Sequence, residues 1–475
     1  MRMRTPVIMV VSVLSMALCG QGWDPVLTIS DPQQNISSRF GEKVFIFGDT
    51  MAVGAPGGLG VVHLFARNAG GLDQWELCQS IEPEVDQSTE GFGSVGFGTG
   101  LAFDGDDLMI GSQVGLWHYR RGFGGLFERV ATVLSGIDHP PVNSIALDGL
   151  DLALCGGSFL AGISGAVEVY RRTSIESTDW WFVDVKTFNV SNTDQFTCYG
   201  KQVLLRNGNV AVSDPCYRLL TMPQLMYGGR AHLYALDAVV GELMDGGAIH
   251  DEFMETFSTS MAFDGDTLMV THLSGSMPWN GYSGVFALTP TAEGGFAMRH
   301  YIGAGSSNGL LDMGHSILVV GSCIIVGTEA GVAFMEKNPN VEENWSLIRA
   351  DELPGSVLAL DYSQEWLAAG VPSARIVQLY RTTSTGQREA ESRRVLITYP
   401  SPANGFVTIV LPEDVSRHGQ LRLLDGAGRV VYERSNGGSS GSTRIDRMDG
   451  WTGMYFVELM DHDGGVIAVG RVVWM

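Results

Sequence analysis

The residues of this chain that could carry chemistry are ten histidines, six cysteines and several glycine-rich turns. Gly91-Phe92-Gly93-Ser94-Val95-Gly96 spells a dinucleotide fingerprint, which works by laying a pyrophosphate on the start of a helix. No helical pattern follows it, so these glycines read as a loop. Gly305-Ser306-Ser307-Asn308-Gly309 and Gly437-Gly438-Ser439-Ser440-Gly441 both spell a nucleophile elbow, which must stand between a strand and a helix. Neither does, and in a chain with 62 glycines such spellings arise by chance. No His and Cys stand at metal-ligand spacing. His63 and His232 hold equivalent places in two repeated segments, and Glu168 and Gln378 hold the same slot in two others. Strand alternation predicts a polar, half-exposed face there, with a ring of ligand-facing residues as the alternative. Trp180 and Trp181 read as packing between sheets rather than as a sugar platform. No catalytic, cofactor-binding or metal-ligating residue is assigned.

Cys198 and Cys216 flank the apolar runs Val203-Leu204-Leu205 and Val210-Ala211-Val212, with Arg206-Asn207-Gly208-Asn209 between them. Asn-Gly between apolar runs is a strong hairpin signal. Folding it brings positions 198 and 216 nearly opposite each other, where a disulfide or two buried thiols would fit. The other cysteines beyond residue 20 are Cys78, Cys155 and Cys323, an odd total that excludes a full disulfide framework.

The elements that must position these residues repeat. An apolar strand, a short polar turn, a second apolar strand and a small residue recur at Val44–Gly54, Leu101–Gly111, Ile145–Cys155, Val203–Ser213, Met261–Thr271, Ile317–Gly327 and, less regularly, Val357–Gly370. A third strand follows, as in Gly60-Val61-Val62-His63-Leu64-Phe65 and Gly229-Arg230-Ala231-His232-Leu233-Tyr234, and in several copies a fourth, as at Trp75-Glu76-Leu77 and Trp180-Trp181-Phe182. A four-stranded sheet of this size cannot bury both faces alone, so the copies must stack. Radial stacking closes into a β-propeller. Seven copies predict a seven-bladed ring, with six or eight left open by the irregular third and seventh copies. The small residue after each second strand is expected where neighbouring sheets crowd together.

Composition agrees with this all-β reading. Hydrophobic residues make up 45% and charged ones 17%, which excludes a disordered chain. The net charge of −22 is spread along the sequence and excludes nucleic acid as a partner. Residues 1–20 read as a signal peptide, with Arg2 and Arg4 before the apolar run Pro6–Leu18, too short to span a bilayer. Cleavage near Gly20 is expected, with a lipid anchor on Cys19 as the rival; no later segment reads as a membrane span.

The copies, preceded by Phe40-Gly41 and Phe97-Gly98 and followed in the first by Gly54-Ala55-Pro56, resemble the FG-GAP repeats of integrin-type propellers over residues 37–382. That resemblance implies a calcium loop with alternating aspartates. Asp104-Gly105-Asp106-Asp107 comes nearest, but Leu108 stands where the next ligand belongs, and Asp148-Gly149 and Asp264-Gly265-Asp266 fail likewise. Calcium takes six to eight oxygens, so these read as hairpin turns, with no metal or cofactor implied.

Residues 21–380 thus form the propeller, 381–396 a polar linker and 397–475 a small immunoglobulin-like β-sandwich. The tail, through Tyr399-Pro400-Ser401-Pro402-Ala403-Asn404-Gly405, Leu424-Asp425 with Gly428-Arg429-Val430-Val431, and Gly453-Met454-Tyr455-Phe456-Val457, resembles the C-terminal sorting domain of type IX secretion cargo. The resemblance implies recognition of residues 397–475 by that machinery and a secreted or cell-surface destination. The expected function is a binding, adhesive or structural surface protein whose extracellular protein or glycan ligand is unknown. The rival is a secreted hydrolase or lyase with carboxylates gathered at the ring mouth, a chemistry that needs no linear motif.

Overall fold

The computed structural model describes residues 22–69, 71, 73–83, 96–122, 125–135, 141–156, 165–187, 198–215, 218–219, 226–227, 229–237, 241–250, 257–272, 284–290, 296–303, 313–337, 345–383, 394–395, 397–399, 405–410, 418–425, 429–437, 442–448, 451, 453–460 and 466–474. The expected signal peptide lies outside them. Two compact units divide at Thr383/Ser384.

In the first unit, seven four-stranded antiparallel sheets follow one another among the described residues. Sheet 1 comprises Lys43–Phe47, Thr50–Ala55, Val61–Arg67 and Trp75–Ile81. Sheet 2 comprises Gly100–Asp104, Asp107–Gly111, Gly115–Arg121 and Phe127–Ser135. Sheet 3 comprises Ser144–Asp148, Asp151–Gly156, Ala166–Arg171 and Trp181–Thr187. Sheet 4 comprises Val203–Arg206, Asn209–Asp214, Arg230–Leu236 and Leu243–His250. Sheets 5 and 6 run from Phe257–Asp264 to Phe296–Gly303 and from Met313–Val320 to Trp345–Glu352. Sheet 7 takes Ala359–Ser363, Trp366–Val371 and Ile376–Thr383 from the end of the unit and its outermost strand, Gly22–Ser30, from the beginning.

Each second strand is buried along nearly its whole length, as in Thr50–Ala55 and Cys323–Thr328, whereas an outermost strand such as Trp181–Thr187 is largely exposed. That gradient follows from packing both faces of every sheet. Seven apolar cores accomplish it, each joining one sheet to the next. Ala52, Val62 and Leu64 of sheet 1 meet Leu101, Leu108 and Ile110 of sheet 2. The seventh core joins Trp366, Ala368 and Leu379 of sheet 7 to Val44, Met51 and Phe65 of sheet 1.

The expected hairpins form in register, with Val44 opposite Val53 and Leu101 opposite Ile110. At Asn207-Gly208 both residues have positive φ (50° and 77°), as a tight two-residue hairpin turn requires. The small residues closing the second strands stand where neighbours crowd. A Cβ on Gly370 would lie 1.9 Å from the Gly41 carbonyl oxygen, and one on Gly54 would lie 2.7 Å from that of Gly98. In sheets 3 and 5 the same closeness becomes a bond: Cys155 Sγ donates to the Gly200 carbonyl (3.0 Å) and Thr271 Oγ1 to that of Gly314 (2.8 Å).

The strand Ile376–Thr383 and the strand Arg394–Val395 narrow the expected 381–396 linker from both sides. The second unit pairs a five-stranded sheet, in which Arg394–Val395 runs parallel to Val466–Trp474, with a three-stranded one. Alternation gives each a buried face: Val407 and Ile409 from one, Leu421, Leu423, Val457 and Leu459 from the other, around Trp451 and Tyr455.

Candidate functional site

The slot is half-exposed only in part: Glu168 is half-buried, but His63, His232 and Gln378 are buried. Third strands have sheets on both sides, so alternation exchanges one dry face for another. In four sheets the slot residue meets the aromatic that precedes the first strand of its own sheet. His63 packs on Phe40 (ring centroids 5.7 Å apart), Trp117 on Phe97 (5.3 Å), His232 on Tyr199 (4.9 Å) and Phe286 on Phe257 (5.5 Å). Burial lowers the pKa of both histidines, that of His232 to about 4. They are packing residues, and the Phe-Gly pair works as one device: the aromatic fills the slot, and Gly41 and Gly98 adopt positive φ (91° and 93°) to start the first strand.

Two aspartates of first strands also have structural work, Asp148 beside the hairpin turn of sheet 3 and Asp361 in the middle of its strand in sheet 7. Asp148 Oδ2 accepts the Asn207 N–H of sheet 4 (2.6 Å), and Asp361 Oδ2 accepts the Ile46 N–H of sheet 1 (2.6 Å). Each carboxylate ties one hairpin to the next. Among the described residues no group of three His, Cys, Asp or Glu could hold a metal ion. Burial pushes the Asp361 pKa up to about 7, against the backbone N–H groups of Ile46 and Tyr362 that favour its charge. A raised folded-state pKa stabilises the fold below the unfolded value near 4, and that contribution is lost as pH rises to about 7. D361N should therefore unfold like the parent at pH 4 and be more stable at pH 8, by about 1–2 kcal/mol once partial solvation is allowed for. Thermal melts at both values check it.

One charged cluster is sealed between sheets 2 and 3. Asp107 accepts from His118 Nε2 (2.8 Å) and Arg120 Nε (2.7 Å) on one oxygen and from Arg172 Nη1 (2.5 Å) on the other. Trp180 Nε1 donates to His118 Nδ1 (3.3 Å), which sets the imidazole tautomer, and Arg172 stacks on the Trp180 ring at 4.9 Å. Arg172 is 2% exposed and His118 fully buried. Burial raises the Asp107 pKa, but the hydrogen bonds from His118, Arg120 and Arg172 outweigh it and hold the carboxyl well below the usual range. With His118 and Arg172 buried, Arg120 at the rim 23% exposed and every group engaged, this Asp-His pair is a clamp between sheets. Trp180 belongs to it, as packing; Trp181 does not, being 63% exposed.

A groove of about 430 Å³ lies between the turns of sheets 3 and 4, lined by Leu150, Asp151, Arg171, Asn207, Gly208 and Leu236. Its polar wall is the Asp151–Arg171 ion pair (2.6 Å), its apolar wall the two leucines. Cys198 is disulfide-bonded, as is Cys323; Cys216, the expected partner of Cys198, lies outside the described residues. Cys78 and Cys155 are free thiols. Gly91–Gly93, the Gly305–Gly309 run and Gly438–Gly441 also lie outside the described residues.

The second unit offers a surface rather than a cleft. Phe456 and Phe406 stand 47% and 38% exposed on strands whose alternate residues fill the core, and Arg444 lies over the Phe406 ring at 3.8 Å. Residues 398–470 match the secretion system C-terminal sorting domain. The tail is a sorting domain. The protein is accordingly exported, to the cell surface or the extracellular space. No curated protein matches the chain. Among solved structures, PorZ, described as an essential bacterial surface component of the type-IX secretion system of Porphyromonas gingivalis, is 16% identical, with a TM-score of 0.47 over 91% of this chain and 59% of its own. The Cps50 (Swd1) β-propeller domain of Myceliophteria thermophila is 13% identical, with a TM-score of 0.49 over 76% of this chain and 100% of its own. At these scores neither adds to what the strand pairing itself establishes. The sorting domain accounts for residues 398–470 and leaves the ligand of the seven sheets unassigned.

Proposed function

We propose that this chain is a cargo of the type IX secretion system that displays a seven-bladed, FG-GAP-like β-propeller outside the cell as a binding or adhesive module. Its sorting domain, read as an immunoglobulin-like sandwich, supplies the export address, and the propeller meets an extracellular protein or glycan. The match of residues 398–470 carries the reading. The core that joins sheet 7 back to sheet 1 and the aromatic-glycine device that recurs from sheet to sheet support the closed ring. The hydrolase or lyase alternative gains nothing from the two first-strand carboxylates described here: Asp148 and Asp361 are committed to neighbouring backbones.

The test is to express the full chain and a chain ending at Thr383 in the producing cells, then follow both by peptide mass spectrometry in surface, medium and envelope fractions. The full chain should reach the surface or medium, and the shortened chain should fold and stay within the envelope. Equal export of the shortened chain would overturn the reading.

A further inference from the structure

The groove between sheets 3 and 4 lies where one side chain of the repeat is replaced. In sheets 1 to 4 the third strand reaches the same point, at which a backbone N–H returns to the hairpin turn of its own sheet. Arg67 donates to the Asp49 carbonyl (2.9 Å), Arg121 to that of Asp106 (2.8 Å), Arg172 to that of Leu150 (2.9 Å) and Leu236 to that of Gly208 (2.6 Å). The three arginines share one task. Arg67 is paired with Trp75, while Arg121 and Arg172 lie over Phe127 and Trp180 at 4.9 Å each, aromatics at the head of a fourth strand. Each arginine also crosses to the preceding sheet, at or beside the head of its second strand. Arg67 reaches Glu365 (3.2 Å), Arg121 reaches Thr50 Oγ1 (2.7 Å) and Arg172 reaches Asp107 Oδ2 (2.5 Å). Leu236 has no charge to send across. It is paired with Leu243, and both belong to the apolar core of sheets 3 and 4.

The residue that such an arginine would meet is still there. Asp151 opens the second strand of sheet 3 as Asp107 opens that of sheet 2. On Oδ1 both carboxylates take the arginine paired with them in their own sheet, Arg171 for Asp151 (2.6 Å) and Arg120 for Asp107 (2.7 Å). On Oδ2 Asp107 receives Arg172 from the next sheet, whereas among the described residues Asp151 receives only a second nitrogen of the same Arg171 (3.3 Å). Beside that oxygen lies the groove of about 430 Å³, with Leu150, 39% exposed, and Leu236 as its apolar wall. Asp237, next after Leu236, also acts on Arg171, so two carboxylates face one guanidinium. The remaining sheets do not repeat this combination. Lys337 stands at the place of Leu236 in sheet 6, and Pro290 and Thr382 stand there in sheets 5 and 7, where the facing second strands begin with uncharged Asn209 and Cys323. Between sheets 3 and 4 the carboxylate is kept and the crossing cation is not.

We propose that this groove receives a guanidinium from outside, an arginine side chain of an extracellular partner protein, laid on Asp151 as Arg172 lies on Asp107. Its planar fork pairs with Asp151 Oδ2, and its methylene stem lies along Leu150 and Leu236. The net charge of −22 draws a basic segment toward the surface without choosing a place on it. The arginine that the repeat lacks in sheet 4 chooses the place. The inference rests on the reading of the first unit as a binding module and gives that module a site.

The test uses the purified full chain and two probes that differ by one charge, N-acetyl-arginine methylamide and its citrulline counterpart, in saturation-transfer NMR titrations at fixed ionic strength. The parent should bind the arginine probe at least roughly tenfold more tightly than the citrulline probe, the worth of one charge-assisted hydrogen bond. D151N should remove that preference. L236R gives sheet 4 the side chain that sheets 1 to 3 carry, so it should fill the groove from within, melt no lower than the parent and lose the arginine probe. The comparison of the two probes on the parent and on D151N does not need L236R to fold. The lysine counterpart, which lacks the planar fork, should bind more weakly than the arginine probe. Equal binding of all three probes by the parent, or a preference that survives both D151N and L236R, would show only a general attraction of cations to an acidic protein and overturn the site. Neither result alters the export assay, and a failure of export leaves this titration as it is, so the two readings fail separately.

Discussion

Replacing Asp107 with alanine is expected to cost the first unit about 3–5 kcal/mol, the range for stripping one partner from a buried charge cluster. The side chain opens the second strand of sheet 2, and its two oxygens receive three cationic or ring donors. Without it, the Arg172 guanidinium, 2% exposed, keeps its contacts with the Gly149 carbonyl (2.9 and 3.2 Å) and the Trp180 face but has lost its counter-charge. Sheets 2 and 3 would lose their main polar tie, although Arg120 would still reach the carbonyls of Ile175 and Glu176. D107N keeps the volume but turns an amide donor toward a donor, so it should recover only part of the loss. R172M should restore some stability to D107A, because removing both charges costs less than orphaning one. Urea midpoints of the full chain, followed by tryptophan fluorescence, give the four corners of that cycle. The pH dependence has a definite sign. A carboxyl held below its unfolded pKa contributes stability that is present above about pH 4 and lost as pH falls toward the folded value. The D107A deficit should therefore be equal at pH 6 and pH 8 and shrink below pH 4. A deficit under 1 kcal/mol at neutral pH would mean that the cluster relaxes and takes in water.

This cluster marks where sequence reading stopped short. Asp107 was visible only as one aspartate of a failed calcium loop, and its strongest partner lies 65 residues away, in another sheet. A local signal did exist: an acidic residue opening an otherwise apolar second strand must find a cation, and Arg171-Arg172 ends the third strand of the next copy. The hairpins, by contrast, were legible because their causes are local, as in the positive φ of Asn207 and Gly208 and the small residue at Gly370. The slot was misjudged at His63, His232 and Gln378, though not at Glu168, for a physical reason. Alternation distinguishes two faces, but it says nothing about whether both are covered, and in stacked sheets both largely are.

Removing Gly22–Ser30 is expected to be more damaging than any single substitution, because among the described residues sheet 7 alone is built from both ends of its unit. The strand pairs with Ile376–Thr383 from Gly22 opposite Thr383 to Ser30 opposite Ile376. It also fills two cores. Ile29 enters the one shared with sheet 1, while Trp23 lies in the one shared with sheet 6, against Phe334 and Tyr362 at 6.2 and 5.5 Å. Arg349 of sheet 6 donates to the Trp23 carbonyl, and Gln378 accepts from Thr28 Oγ1 (2.7 Å) and donates to the Leu27 carbonyl (3.1 Å). W23A alone should cost about 3–5 kcal/mol as a large buried aromatic lost. Without the whole strand, Ile376–Thr383 becomes an exposed sheet edge and both cores open, so the chain should lose its cooperative thermal transition and associate in size-exclusion chromatography. Because Gly22 faces Thr383, residues 22–30 moved to follow Thr383 through a short turn would re-enter the same place as an ordinary hairpin. That rearranged chain should regain a sharp transition within a few degrees of the parent. If it does not, while the plain deletion melts cooperatively, then sheet 7 holds without its borrowed strand and the joint between the two ends of the unit is not what keeps the succession of sheets together.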